Sequence, residues 1–191
     1  MDGELPFKLA FIGSHGVGKT TLCYGLAARL KAQDLPVEVV HEVARRCPLP
    51  INEETSVAAQ SWILQTQISE ELVAQARDPV VVCDRSVLDN YVYLLLAAGR
   101  QEAPEGLVNF WLAGYDLLVH VPIVEDLSPD GVRSQDPGFQ QAVEELVRRE
   151  LAERDLPALH LDPAARPGWL DTVERAVWER LRPAQLNLPS I

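Results

Sequence analysis

Basic residues are scarce in this chain. Lys and Arg together number 17 against 28 Asp and Glu, which gives a formal net charge of −11. A nucleic-acid backbone or an anionic membrane would repel most of such a surface, so we expect no nucleic acid and no membrane among the partners. Lysine occurs only at positions 8, 19 and 31, which makes a lysine inside a motif conspicuous.

Cysteine pairs and long apolar runs are also missing. Cys23, Cys47 and Cys83 form neither a CxxC pair nor a zinc-binding spacing, and their odd number does not indicate a disulfide framework. No apolar run approaches the roughly 20 residues that cross a bilayer, and the acidic start of the chain does not resemble a signal peptide. We therefore expect a cytoplasmic protein with small-molecule partners, and leave open whether it forms a homodimer.

What the sequence does contain is an alternation of short apolar runs and longer amphipathic segments. Five runs predict strands, at 7–13, 37–42, 80–83, 116–121 and 158–161. Six segments predict helices, at about 18–32, 53–77, 86–98, 105–114, 137–154 and 168–181, the second of them capped by Asn52. The alternation predicts an α/β fold with a parallel sheet covered by helices on both faces, formed by residues 1–191 as one domain.

A glycine-rich motif lies between the first predicted strand and the first predicted helix. The stretch GSHGVGKT fits GxxxxGK[ST] in full and stands in the strand-to-helix context that this motif requires. Backbone N–H groups of such a loop and the N-terminus of the helix hold phosphate oxygens. The alternative is a glycine-rich turn with an incidental lysine. The motif assigns nucleotide binding to Gly13, Ser14, His15, Gly16, Val17, Gly18, Lys19, Thr20 and Thr21.

Within this motif, two residues have distinct chemical roles. Lys19 is expected to meet the β- and γ-phosphates of ATP, and the Thr20 hydroxyl is placed to bind Mg²⁺. His15 is interpreted as a spacer rather than a catalytic group. The cofactors expected from the motif are thus ATP and Mg²⁺.

An acidic residue follows the third predicted strand. The run VVVC is succeeded by Asp84, Arg85 and Ser86, and a carboxylate at that place beside a phosphate loop is typical of a group that holds Mg²⁺ or accepts a proton from an attacking hydroxyl. Asp84 is therefore a candidate metal ligand and catalytic residue. The alternative is that it caps the helix that starts near Ser86, and both roles are compatible.

Charged residues also follow the second strand and fill a polar loop at about 124–138. Glu42 and Arg45 could hold hydroxyls or phosphates of a substrate, with solvated charge as the alternative, and Arg45 and Arg46 cannot both face the same way.

The loop EDLSPDGVRSQDPG has no apolar period and contains Arg133. We predict that it is a lid whose Arg133 stabilises the transferring phosphoryl group; the alternative is a salt bridge with Asp130.

Four segments of the chain resemble NadR-like P-loop proteins, which are ribosylnicotinamide kinases related to deoxynucleoside and thymidylate kinases. These segments are GSHGVGKTTL, HEVARR, VVCDRSVLDNYVY and EDLSPDGVRSQDPGFQQAVEELVRREL. The resemblance implies a P-loop NTPase sandwich with strand order 2-3-1-4-5, ATP on the first loop, and an acceptor between the second strand, the long helix and Asp84. It further implies that substrate is contacted by Glu42, Arg45, Gln67 and Arg85, with a solvent-facing glutamine as the alternative for Gln67.

The function predicted from these features is transfer of the γ-phosphoryl group of ATP to a hydroxyl of a nucleoside- or nucleotide-like small molecule. Catalysis is assigned to Lys19, Asp84 and Arg133. The alternatives are an ATPase or GTPase, or a nucleotide-dependent switch, each without a small-molecule acceptor. An N-K-x-D element, which guanine-specific switches usually carry, is absent because no lysine follows residue 31.

Overall fold

The computed structural model describes residues 6–124 and 136–181. Five parallel strands form its sheet in the order β2-β3-β1-β4-β5, which confirms the α/β fold and the strand order implied by the resemblance. The strands are β1 (Phe7–Ile12), β2 (Val37–Val40), β3 (Val80–Cys83), β4 (Leu117–His120) and β5 (Ala158–His160).

The described residues form six α-helices, which cover both faces of the sheet; five lie between strands and the sixth follows β5. They are α1 (Lys19–Lys31), α2 (Val57–Gln75), α3 (Val87–Ala98), α4 (Glu102–Leu112), α5 (Pro137–Glu153) and α6 (Trp169–Trp178). Three 3₁₀ segments add Val43–Arg46, Asn52–Glu54 and Pro163–Gly168. Among the described residues, no helix combines the length and apolarity that a membrane span requires.

The central strand β1 is buried along its whole length and divides the core in two. Phe7, Leu9 and Phe11 pack with α1 and α6 on one face, whereas Ala10 and Ile12 pack with α2, α3, α4 and α5 on the other. This alternation is what a parallel strand between two helical layers requires. The result is the three-layer sandwich that the sequence predicts.

The register of the sheet brings two loops together at one edge. Ala10 of β1 pairs with Cys83 of β3, so the loop after Ile12 and the residues after Cys83 leave the sheet side by side. In open parallel sheets, ligands bind beyond the carboxyl ends of the strands. The fold therefore places the glycine-rich loop next to Asp84.

The predicted start of the long helix was wrong. The helix α2 begins at Val57, and its N-cap is Ser56, whose hydroxyl accepts a hydrogen bond from the Ala59 N–H. Asn52 lies in a separate 3₁₀ turn and has a positive φ of 59°. Asn tolerates this left-handed conformation better than most residues, so the same residue type that favours a cap here supports a turn before the helix.

Candidate functional site

The glycine-rich loop joins β1 directly to α1, and all three of its glycines, Gly13, Gly16 and Gly18, have a positive φ that other residues rarely adopt. Gly13 has a φ of 134°, and a Cβ there would lie 2.5 Å from the Val121 carbonyl oxygen on the neighbouring chain segment. Gly18 has a φ of 95° and is the N-cap of α1. Both positions need glycine because a side chain would be strained, and at Gly13 also blocked.

Lys19 is buried at the centre of this loop. Its Nζ donates hydrogen bonds to the carbonyl oxygens of Gly13 (2.7 Å) and Ser14 (2.5 Å). Burial, followed by the nearby charge of Arg85, lowers the pKa of Lys19 to about 8. The ammonium group thus lies against the loop backbone, in the position from which a P-loop lysine meets nucleotide phosphates.

The Thr20 hydroxyl and the Asp84 carboxylate form a pair of oxygen groups beside the loop. Thr20 Oγ1 donates to Asp84 Oδ2 at 2.8 Å, and burial raises the pKa of Asp84. Hydroxyl and carboxylate oxygens are ligands that suit Mg²⁺. Residues 6–124 and 136–181 contain no group of three or more His, Cys, Asp or Glu side chains that could hold a metal ion by themselves.

Asp84 does not cap helix α3, so that alternative is wrong. The N-cap is Ser86, whose hydroxyl accepts from the N–H groups of Leu88 and Asp89, while Asp89 Oδ2 accepts from Ser86 N–H at 3.0 Å. Asp89 Oδ1 also accepts from Gly13 N–H at 3.1 Å. Asp89 therefore ties the glycine-rich loop to the turn that carries Asp84, and the sequence signal for it was the capping-box spacing of Ser86 and Asp89.

Glu42 connects two arginines at the end of β2. Its Oε1 lies 2.7 Å from the Arg85 guanidinium, and its Oε2 accepts from Arg45 Nε at 2.7 Å. Burial alone would raise the pKa of Glu42, but Arg85, Lys19 and Arg45 outweigh it and lower the pKa to about 2. Arg46 turns away to Glu70 near the surface. Of the two neighbouring arginines, Arg45 is thus the one beside the site.

A second pocket opens next to the phosphate loop. Its cavity volume is about 30 Å³, it is partly open to solvent, and it is lined by His15, Glu42, Ala44, Arg45, Ile51, Asn52, Gln60, Arg85, Asn90 and Tyr93. Glu42 and Arg85 also line the cleft formed by Gly16–Thr20 and Asp84. The two cavities are therefore adjacent and share a charged wall.

Two buried polar atoms of this second pocket have no partner among the described residues. They are the side-chain oxygen Oε1 of Gln60 and the side-chain nitrogen Nδ2 of Asn90. A buried polar atom without a hydrogen bond is costly, so such atoms indicate where a ligand would bond. Sequence reasoning missed both residues because each lies inside a helix whose pattern gives no sign of which face meets a pocket.

The comparison with known families agrees with this geometry. The model of an AAA-domain family matches residues 8–166. The chain belongs to this AAA-domain family. This is a family of the P-loop NTPase type, whose members generally bind a nucleotide with Mg²⁺. A search of curated proteins finds no match for the chain.

Two residues assigned by sequence lie away from both pockets of this AAA domain. Gln67 is fully buried, and its Nε2 donates to Glu71 Oε1 and to the Arg85 carbonyl oxygen, so the alternative of a solvent-facing glutamine is wrong. Its contact with an acceptor stays a prediction. Thr21 is exposed on the first turn of α1. Arg133, together with Asp130 and the predicted lid, lies outside the described residues, and Pro137 and Gly138 belong to α5 rather than to a loop.

The start of α5 packs directly on the glycine-rich loop of the AAA domain. Ser14 Oγ donates to the Gln140 carbonyl oxygen at 2.8 Å, and Gln140 Nε2 donates to the His15 carbonyl oxygen at the same distance. The buried His15 ring lies near Tyr93 and Phe139. His15 thus forms part of the wall between the phosphate loop and the second pocket.

Proposed function

We propose that this AAA-domain protein transfers the γ-phosphoryl group of Mg·ATP to a hydroxyl of a nucleoside- or nucleotide-like acceptor. The observation that carries the proposal is the second pocket, which shares Glu42 and Arg85 with the phosphate cleft. A hydrolase or a switch needs a nucleotide and water, but a phosphotransferase needs a second substrate beside the phosphates.

The residues around the phosphate cleft suit phosphoryl transfer. The loop amides and Lys19 would hold the β- and γ-phosphates, and Thr20 and Asp84 would hold Mg²⁺, which neutralises charge on the phosphate oxygens. The Asp84 carboxylate lines the phosphate cleft next to Arg85, which lines both cavities, and from there it would also orient an acceptor hydroxyl and take its proton. Most of the rate enhancement would come from positioning and charge stabilisation.

The second pocket suits a planar, polar acceptor. Gln60 Oε1 is a hydrogen-bond acceptor and Asn90 Nδ2 is a donor, so together they complement a ring edge that carries both kinds of group. Tyr93 adds an aromatic wall, 5.5 Å from the Arg85 guanidinium. The role on α2 that the resemblance gave to Gln67 is therefore proposed for Gln60, two helical turns earlier on the same helix.

The alternative is an ATPase or switch without a small-molecule acceptor, and membership of the AAA-domain family is compatible with it. The second pocket and its two unpartnered polar atoms support transfer over simple hydrolysis. A guanine-specific switch remains the weaker alternative, because the sequence has no N-K-x-D element.

The test is acceptor-dependent release of ADP. The protein is incubated with Mg·ATP and a panel of ribonucleosides, deoxynucleosides and nucleoside monophosphates, and ADP is measured with and without each. We expect one class to stimulate release, and Asn90→Leu to abolish the stimulation while leaving basal release intact. Gln65→Leu, at an exposed glutamine on α2, serves as the control and should change neither rate. Release that is indifferent to every acceptor would contradict phosphoryl transfer and favour an NTPase.

A further inference from the structure

The carboxylate of Glu71 is buried in the core and accepts four hydrogen bonds. Its Oε1 accepts from Gln67 Nε2 (2.9 Å) and the Tyr115 hydroxyl (2.6 Å), and its Oε2 accepts from Lys8 Nζ (2.8 Å) and Trp111 Nε1 (2.6 Å). These four bonds use the full acceptor capacity of an ionised carboxylate. Glu71 is fully buried, and all four donors are side chains that lie around it.

Two of these donors reach the turn that carries Asp84 and Arg85. The second hydrogen of Gln67 Nε2 goes to the Arg85 carbonyl oxygen at 3.1 Å. The Tyr115 oxygen accepts from the Val87 N–H at 3.2 Å. The backbone is therefore held immediately before and immediately after Ser86, and both contacts end on the same carboxylate.

Stability alone does not account for the ion pair between Lys8 and Glu71. A buried ion pair is on average no more stabilising than apolar side chains of similar volume, because both charges lose their hydration. The Lys8 ammonium is held further by the rings of Trp111 and Tyr115, whose centroids lie 4.5 and 4.3 Å from Nζ. What a charged centre provides here, and an apolar one cannot, is a fixed orientation for Gln67 and Tyr115.

We propose that Glu71 is a positioning residue for the metal and phosphate site, acting through Gln67 and Tyr115 on the backbone of residues 85–87. This turn sets where Asp84 lies against Thr20 and where Arg85 lies against Glu42. Among the described residues, the hydrogen bonds of Glu71 go to Gln67, Tyr115, Lys8 and Trp111, and none goes to Asp84, Thr20, Arg85 or Glu42. Its effect on the site is therefore transmitted by the backbone.

The test uses one charge variant and two variants that each remove the two hydrogen bonds of one connecting side chain. Glu71→Gln places an amide N–H₂ among four donors, and Gln67→Met and Tyr115→Phe each cut one of the two connections to the turn. The control is Glu150→Gln, at another fully buried carboxylate, which pairs with Arg100 and Arg154; none of these three residues lines either cavity. Thermal unfolding reports the loss of stability in all four.

The first measurement is hydrogen exchange of the Val87 amide in the nucleotide-free protein. We expect Gln67→Met to accelerate this exchange about fivefold, as the loss of a hydrogen bond of about 1 kcal/mol would, although the Val87 amide donates to Tyr115 and not to Gln67. The second is the Mg²⁺ concentration that half-saturates the enhancement of ATP binding. It should rise about tenfold in Gln67→Met and Tyr115→Phe, as is typical when a group behind a metal ligand is removed, and stay unchanged in Glu150→Gln.

Equal Mg²⁺ dependence in the wild type, Gln67→Met and Tyr115→Phe would overturn the proposal, as would an equal change in Glu150→Gln. If Glu71→Gln does not fold, the other two variants decide the outcome. The Mg²⁺ measurement rests on one half of the proposed function, the binding of Mg·ATP, and does not require that a phosphoryl group be transferred. Should these two measurements behave as expected while ADP release ignores every acceptor, the transfer reaction is wrong and the positioning role stands.

Discussion

Nucleotide binding should be coupled to proton uptake by Lys19. In the free protein its pKa is about 8, because the ammonium is buried and lies near Arg85. Phosphate oxygens placed against Nζ favour the charged form and should return the pKa towards its ordinary range. Binding of ATP above neutral pH therefore requires that a proton be taken from the buffer.

The size of the effect follows from the pKa of the free protein. With a pKa of about 8, Lys19 lacks its proton in about a tenth of molecules at pH 7, half at pH 8 and nine tenths at pH 9. Uptake per ATP bound should thus be about 0.1, 0.5 and 0.9 protons at these values. The apparent affinity for ATP should be about tenfold lower at pH 9 than at pH 7, which corresponds to about 1.4 kcal/mol of binding free energy.

Isothermal titration calorimetry in buffers of different ionisation enthalpy measures the number of protons taken up. The terminal phosphate of ATP is already ionised at pH 8 and above, so it does not contribute to uptake in that range. Lys31→Met removes an exposed lysine at the far end of α1 and should leave the proton count unchanged. Uptake at pH 9 no larger than at pH 7 would refute the assignment of Lys19 as a buried, partly deprotonated phosphate ligand.

Three further changes test separate parts of the site. Asp84→Asn keeps the size of the side chain but removes the charge beside Thr20; ATP binding without Mg²⁺ should persist while turnover falls about 10- to 100-fold, and retained turnover would contradict the catalytic role. Gly13→Ala should destabilise the protein by about 1–3 kcal/mol in urea unfolding, because the new Cβ meets a backbone oxygen. Gly18→Ala is the control and should lower stability less, because there is open space around that position. Equal losses of stability in the two variants would exclude the steric explanation. Arg133→Ala should lower kcat about tenfold or more if the sequence-based prediction of a phosphate-contacting arginine holds, and an unchanged kcat would reduce it to a surface charge.

The part of the site that could be predicted is the part that is contiguous in the chain. Gly13, Gly18, Lys19 and Thr20 lie within eight residues, and the strand before them and the helix after them are encoded by local patterns. Asp84 could be assigned because it follows a strand, and parallel strands end at a common edge. Local backbone conformation and this rule of sheet geometry were sufficient for both.

The sequence by itself thus determined the α/β fold, the phosphate loop and the acid beside it. Only the tertiary structure decided that Arg45 and not Arg46 meets Glu42, that Gln60 lines the second pocket while Gln67 is buried, and that Lys8 pairs with Glu71. Each of these choices depends on the rotation of a helix or turn against its neighbours. That rotation is fixed by packing between distant segments, which a local pattern does not contain.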